Sequence, residues 1–471
     1  MISKKLGIFL CIMLIAILCM LSASCFEPHI DENAELATGT ESEKSTVCKH
    51  SFGAYKYPED ADCRRPCVAV AECSACGQKS YVSLENGPHI YGGDKRCIYC
   101  GVLDMKIGVE YRDGDFIFLL RSKNRCEAIL AEDATAETVR FPSNYGGYAI
   151  STISMPSSES VRNSVKHIYI PASVEMTSLY AFKDCTSLET VSIENGCKLS
   201  SVGYEAFAGC SSLRSVELEN CTALTEIGAR AFAGCTSLRK ITLPSTVTTV
   251  EERAFTGCSS LESVSLESEY VGLGVGVFMD CSSLSNVNFL NKVETIPGSA
   301  FSGCTGLERI RIPDNVKSIE DYAFEECGLV EVALSHSLTS LGNMAFFNCK
   351  SLRRIEIYDG IKQISTSTFS GCKALCEVIL PSTLEEIAPS AFASCESLER
   401  IVIPASVKSL AANAFSLDNA LSEVIFESAE DWKKNGEEID EQTLADPALA
   451  AKLLREGVTS ESFIKVDQVI N

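Results

Sequence analysis

The chain has 471 residues, 46% of them hydrophobic and 22% charged, with a formal net charge of −22. This composition belongs to a folded soluble protein rather than a disordered one. The acidic balance argues against nucleic acid as a partner, because neutralising phosphates needs a surplus of Lys and Arg.

The first element is a targeting segment. Lys4 and Lys5 precede an uninterrupted apolar stretch from Leu6 to Leu21, followed by the small residues Ser22, Ala23 and Ser24. That stretch is shorter than the roughly 20 residues that span a bilayer. Cys25 comes next, so LSASC resembles a bacterial lipobox: residues 1–24 are the expected lipoprotein signal peptide and Cys25 the lipidated residue of a membrane anchor. Ser22, three places before the cysteine, departs from that pattern, and simple secretion or an uncleaved anchor are the alternatives. The expected location is the cell envelope, lipid-anchored and extracytoplasmic, where thiols oxidise unless buried or metal-bound. Residues 25–47 follow as a flexible tether, with six acidic residues and one lysine between Phe26 and Val47.

Residues 48–101 form a Cys/His-rich module with two C-x-x-C turns, Cys73-Ser-Ala-Cys76-Gly and Cys97-Ile-Tyr-Cys100-Gly. Such a turn presents two thiolates to one ion, and the glycine permits the tight backbone. The first expectation is therefore a structural zinc site at Cys73, Cys76, Cys97 and Cys100, closed to water. A two-ion variant recruits His50 and Cys63 or Cys67 to the first knuckle and His89 to the second. The alternative is a disulfide-stapled domain, although seven cysteines leave one unpaired.

Residues 102–164 read as an N-terminal β cap, with a turn at Asp113-Gly114 between strand-like runs and a degenerate first repeat in VRFPSNYGGYAI. Residues 165–427 are repetitive. The phenylalanine of an Ala-Phe-like pair recurs from Phe182 to Phe415 every 22 to 25 residues, and a cysteine stands three residues after it, from Cys185 to Cys395, in all but the last copy. The consensus is C-x-S-L-x-x-I-x-I-P-x-x-V-x-x-I-x-x-x-A-F. Its L-x-x-I-x-I portion is a short strand with alternating inward residues, and stacking is what buries each apolar edge. The expected fold is a repeat solenoid, mainly β with short turns and helical segments, preceded by the zinc-knuckle-like module and followed by a helical cap. In that cap, residues 428–471, Ser428 and Asp431 suggest a capping box for a helix carrying Trp432, and Asp446-Pro447 starts a second helix.

This cadence resembles the BspA-like leucine-rich repeats of bacterial surface proteins. The resemblance implies extracellular adhesion to a protein or glycan ligand, with no catalytic residues to transfer. The residues agree with that: only His167 and His336 fall within the repeats, so the repeat cysteines lack bases, and their periodic place beside inward Phe and Leu marks them as packing thiols. On the outward strand face, Arg309, Glu331, Arg354, Glu377, Arg400 and Glu423 alternate in sign, which suits a register-fixing row. The next outward row contains Arg311 and ends in Ile379, Val402 and Ile425. That apolar stripe beside the guanidinium groups is either a binding surface or a patch covered by the C-terminal tail. The candidate ligand surface is accordingly Arg309, Arg311, Arg354, Ile379, Arg400, Val402 and Ile425. A structural role in the envelope is the alternative function, and a metal-dependent enzyme with the repeats as targeting arm is a weaker one.

Overall fold

A computed structural model describes residues 105–123, 125–411, 413–456 and 462–465, together with the strands Cys67–Glu72 (β1) and Lys79–Leu84 (β2). The chain divides into two compact units, residues 1–88 and 89–471. Within the first, β1 and β2 pair antiparallel. Residues 1–66, which hold Cys25, His50 and Cys63, lie outside the described residues, as do Cys73, Cys76, His89, Cys97 and Cys100.

The second unit is a stack of coils with two parallel ladders. The first ladder is the one legible in L-x-x-I-x-I, and it includes His167–Ile170, Thr190–Ile193, Lys240–Leu243, Ser263–Leu266, Arg309–Arg311, Glu331–Ala333 and Arg400–Ile403. Its burial alternates as expected for a half-buried strand: in Lys240–Leu243, Ile241 and Leu243 are buried while Lys240 is exposed. The second ladder occupies the V-x-x-I position, and its rungs from Met176–Thr177 to Ser409–Ala411 are only two or three residues long, such as Ser201–Val202 and Glu226–Ile227.

The third side of each coil is a tight turn around Ala-Phe. It lacks strands but is bonded coil to coil, for example Phe255 N–H to Val277 O at 2.9 Å and Gly257 N–H to Met279 O at 2.8 Å. From Phe182 to Phe392, the residues two before and two after each repeat phenylalanine adopt left-handed backbone, such as Arg253 (φ 55°) and Gly257 (φ 70°). At Gly303 (φ 75°) a Cβ would also meet the Asp280 carboxylate of the preceding coil, which would have to shift to admit it.

Stacking places all eleven phenylalanines from Phe182 to Phe415 in the core. Successive rings lie 5.0 to 5.8 Å apart and nearly parallel, from Phe182–Phe207 to Phe278–Phe301. Beside them runs the thiol ladder. From Cys210 to Cys395 each sulfur donates to the phenylalanine carbonyl of the preceding coil, as in Cys210 to Phe182 O at 3.0 Å, Cys304 to Phe278 O at 3.2 Å and Cys349 to Phe324 O at 3.0 Å.

Both ends are closed. Glu110–Asp113 (β3), Phe116–Ser122 (β4) and Arg125–Leu130 (β5) form an antiparallel meander, and β5 runs parallel to Tyr148–Ser154 at the start of the second ladder. Thr138–Arg140 pairs parallel with His167–Ile170 and opens the first ladder. At the other end Asp446 caps the helix Pro447–Arg455, accepting from Ala448 and Leu449 N–H. That helix and the shorter Glu441–Ala445 pack on the last strand, Glu423–Phe426.

Trp432 departs from expectation. It begins a strand, Trp432–Lys434, which pairs with Ser462–Lys465, itself antiparallel to the last rung of the second ladder. The Trp432 ring is buried edge-on to Phe426 and its N–H donates to Ser428 O at 3.0 Å. The need to cover an open sheet edge overrides the local helix signal.

Candidate ligand-binding face

The first ladder places its outward residues in two parallel rows. In the first, the register pairs Arg309 with Glu331, Glu331 with Arg354, Arg354 with Glu377 and Arg400 with Glu423. The charges do not form a continuous zipper. Among the described residues they resolve into separate pairs, Arg309–Glu331 at 3.9 Å, Arg354–Glu377 at 3.0 Å and Arg400–Glu423 at 3.2 Å, all with well-exposed side chains. Exposed pairs of this kind contribute about 0–1 kcal/mol each, so the row fixes neighbours only weakly and leaves its guanidinium groups open to water.

The second row holds Arg311, Glu356, Ile379, Val402 and Ile425. Arg311 and Ile379 are exposed, while Val402 and Ile425, which are partners in register, are half-buried. The two C-terminal helices dock on the last strand, and Ile379 keeps 38% of its surface. A hollow of about 420 Å³ opens there between Ile379, Arg400, Val402 and Glu427, with Cys376 at its rim. Cys376 is the exposed free cysteine among the described residues and was not singled out by the repeat pattern, since it falls outside the thiol position.

Strand pairing in the first ladder lapses at three steps among the described residues, and at one of them the strand itself is missing. Where the repeat calls for a strand at 286–288 there is a single bridge, Ser263 to Asn286, followed by the 3-10 turn Asn288–Lys292. A cleft of about 730 Å³ opens at this point, lined by Ser285, Asn286, Asn288, Asn291, Arg309 and Arg311.

Burial pushes Cys304 and Cys349 up to about 12, and Cys210, Cys235 and Cys372 well above the ordinary thiol range. Neither repeat histidine serves them: His167 Nδ1 meets Thr190 Oγ1 at 2.9 Å, and His336 meets Asp314 at 3.2 Å and stacks on Tyr358. In the last coil Asp418 occupies the thiol position, fully buried, with Oδ1 accepting Cys395 N–H at 2.7 Å; burial raises its carboxyl to about 8.

One covalent feature escaped the sequence reading. Cys197 and Cys221 form a disulfide 24 residues apart, with Cα atoms 5.4 Å from each other. They lie outside the thiol ladder, in the two coils whose phenylalanine spacing is 25 rather than 22 or 23. A pair of non-consensus cysteines one coil apart was the available signal. Among the described residues no cluster of three or more potential metal ligands occurs, and no helix is long and apolar enough to cross a membrane.

Comparison with known proteins agrees with the coil geometry. The family model of the BspA type leucine rich repeat region matches residues 153–285, 200–330 and 294–422, together more than half of the chain. Among solved structures, a leucine rich cell surface protein from Faecalibacterium prausnitzii is 26% identical, with 69% of this chain and 96% of that chain covered and a TM-score of 0.46. A leucine-rich repeat protein from Bacteroides ovatus is 26% identical over 67% and 88% of the two chains, with a TM-score of 0.49. The pneumococcal vaccine antigen PcpA is 18% identical over 69% and 84%, with a TM-score of 0.45. No curated protein matches the chain. With the repeat cadence, the stacked coils and the family model in agreement over the same residues, the chain belongs to the BspA-type leucine-rich repeat family.

Proposed function

We propose that this chain is a non-enzymatic cell-surface binding protein whose first ladder presents an extended face to an extracellular protein or glycan. The observation that carries this reading is the division of labour within each coil. The interior keeps Phe, Cys and Leu from copy to copy, whereas outward residues change at every rung and remain accessible. Thiols held protonated by burial, and histidines engaged elsewhere, favour a binding role over a hydrolytic one.

The test is binding of the purified full-length chain to a panel of extracellular matrix proteins and glycans. Ile379→Asp and Val402→Asp are expected to abolish capture by a protein ligand with little change in thermal stability. Strong unfolding of either variant instead assigns the stripe to the core. Wild-type protein that binds nothing on the panel, yet is required for envelope integrity, replaces this reading with the scaffold role.

Two further parts of the reading rest on sequence alone. Cys25 is the lipid attachment point, so Cys25→Ser is expected to release the protein from membranes. Cys73, Cys76, Cys97 and Cys100 hold one structural zinc, with His50, Cys63, Cys67 and His89 as the additional donors of a two-ion variant; the absence of zinc from protein purified under reducing conditions overturns this.

A further inference from the structure

The interruption at Asn286–Lys292 is a braced structure. Its coil keeps the ordinary 23-residue spacing between Phe278 and Phe301, so no insertion causes the break. Composition does. Asparagines at 286, 288 and 291 disfavour the strand, and Asn286 Oδ1 accepts Asn288 N–H at 3.2 Å, giving the backbone a local alternative to the ladder. The resulting turn is held by side chains on both sides. Lys292 Nζ donates to Leu266 O at 2.8 Å and to Ser268 O, and Asn315 Nδ2 donates to Leu290 O at 3.1 Å and to Val293 O.

The brace leaves three exposed carboxamides along one wall and two exposed guanidiniums along the other. Arg309 and Arg311 are two residues apart on one strand, so both project on the same face. Local acids hold them loosely. Glu331 is 3.9 Å from Arg309 with both side chains mostly in water, and the Asp314 carboxylate near Arg311 is occupied by His336 N–H at 2.9 Å and its ring nitrogen. A second hollow of about 370 Å³, with Ser263 and Ser265 on its far side, lies across the same asparagines and lengthens the trough over neighbouring coils.

We infer that this trough binds an acidic saccharide, a glycan chain carrying uronate-type carboxylates. Carboxylates are bound in fork geometry by Arg309 and Arg311. The ring hydroxyls, which both donate and accept, are matched by Asn286, Asn288 and Asn291, whose carboxamides do the same. None of the described residues lining the trough is an exposed large hydrophobic side chain of the kind that anchors a protein partner, which favours a glycan over an acidic peptide. This inference rests on the reading of the first ladder as the ligand-binding face and names the ligand class for one part of it.

The experiment is calorimetric titration of the full-length protein with oligogalacturonate, its carboxyl-reduced neutral counterpart, and oligoglutamate. Oligogalacturonate is expected to bind, with the neutral oligosaccharide and oligoglutamate each at least tenfold weaker. Arg309→Gln with Arg311→Gln is expected to weaken oligogalacturonate binding more than tenfold without changing the melting temperature, since both side chains are exposed. Asn288→Ala is expected to weaken it several-fold. Lys350→Gln, on an exposed turn outside the trough and outside the strand face, is expected to leave it unchanged. Equal binding of oligoglutamate overturns the saccharide assignment in favour of an acidic peptide, and equal binding of the neutral sugar overturns the carboxylate contact. Failure of oligogalacturonate to bind, or indifference to the double Arg variant, overturns the site. If that happens while Ile379→Asp still abolishes capture of a protein ligand, the inference falls and the binding-face reading stands; if neither set of variants matters, the reading falls with it.

Discussion

The buried edge and the exposed strand face belong to the same coils but follow opposite rules. Along the edge, each coil presents the same phenylalanine and, until the last coil, the same thiol. Along the face, serine, lysine, asparagine, arginine and glutamate succeed one another at a single position. The difference follows from how neighbours meet. A ring in the edge stacks on two other rings, and a thiol donates to a carbonyl one coil away, so a change in one copy disturbs both adjacent copies. A side chain on the face meets its neighbours through exposed ion pairs that water and salt screen. Identity is enforced only where contact is close and dry, and the face is thereby free to differ at each rung.

The most direct way to break this contrast is to cut the ring stack at its centre. Phe301 is fully buried between Phe278 and Phe324. Phe301→Ala is expected to cost about 3–5 kcal/mol, the usual range for deleting a core aromatic ring. Because coils are stabilised through their neighbours, urea unfolding is expected to separate into two transitions on either side of the lesion. A loss under about 1 kcal/mol, with one cooperative transition, shows that the stack does not hold the coils together.

Next in size is the disulfide, the place where two neighbouring coils are tied by a covalent bond. Cys197 and Cys221 are separated by 24 residues, and closing a loop of that size is worth about 3 kcal/mol in the chain-entropy account. Cys197→Ser with Cys221→Ser is expected to lower stability by about 2–4 kcal/mol under oxidising conditions and by nothing under reducing ones. Cys304→Ser, within the thiol ladder, is expected to show no such redox dependence. A redox effect at Cys304 ends the distinction between the stapling and the packing cysteines.

The third test uses the single coil in which the edge breaks its own rule. Asp418 replaces the thiol, and burial raises its carboxyl from an ordinary value near 3.8 to about 8, with Oδ2 unpartnered. A carboxyl whose folded value is raised binds its proton more tightly in the folded state. Its contribution is therefore fully present below about pH 4, declines as pH rises and is lost above about pH 8. Relative to Asp418→Asn, the wild type is expected to lose about 2 kcal/mol between pH 5 and pH 9, allowing for relaxation at the end of the stack. A difference that stays constant with pH shows that the carboxyl is already charged in the folded protein.

How much of this was legible depended on whether the controlling contacts were periodic. Phe182 to Phe415 and Cys185 to Cys395 announce the core because stacking needs the same group at each step, and Val191 or Ile241 alternates visibly within the first ladder. The second ladder was hidden, since rungs as short as Ser201–Val202 carry too few residues to show an alternation. Trp432 was misread because the spacing of Ser428 and Asp431 imitates a helix cap, while the strand that claims it, Ser462–Lys465, arrives from far along the chain. The interruption at Asn286 was invisible for a different reason: the coil keeps its length, and only the density of asparagine marked it.

The smallest expected effect lies on the face itself. Arg354 contacts Glu377 and Glu356, each at 3.0 Å, and its side chain is half exposed. Arg354→Gln removes both ion pairs, yet in water such pairs contribute about 0.2–1 kcal/mol before salt is added. The expected change is therefore below about 1 kcal/mol at low ionic strength and nothing measurable at 1 M salt, where the Debye length falls to about 3 Å. A loss of several kcal/mol, persisting in salt, makes the charged row a structural element comparable to the ring stack. It also erases the contrast between edge and face, because the residues free to vary are then the ones holding the coils in register.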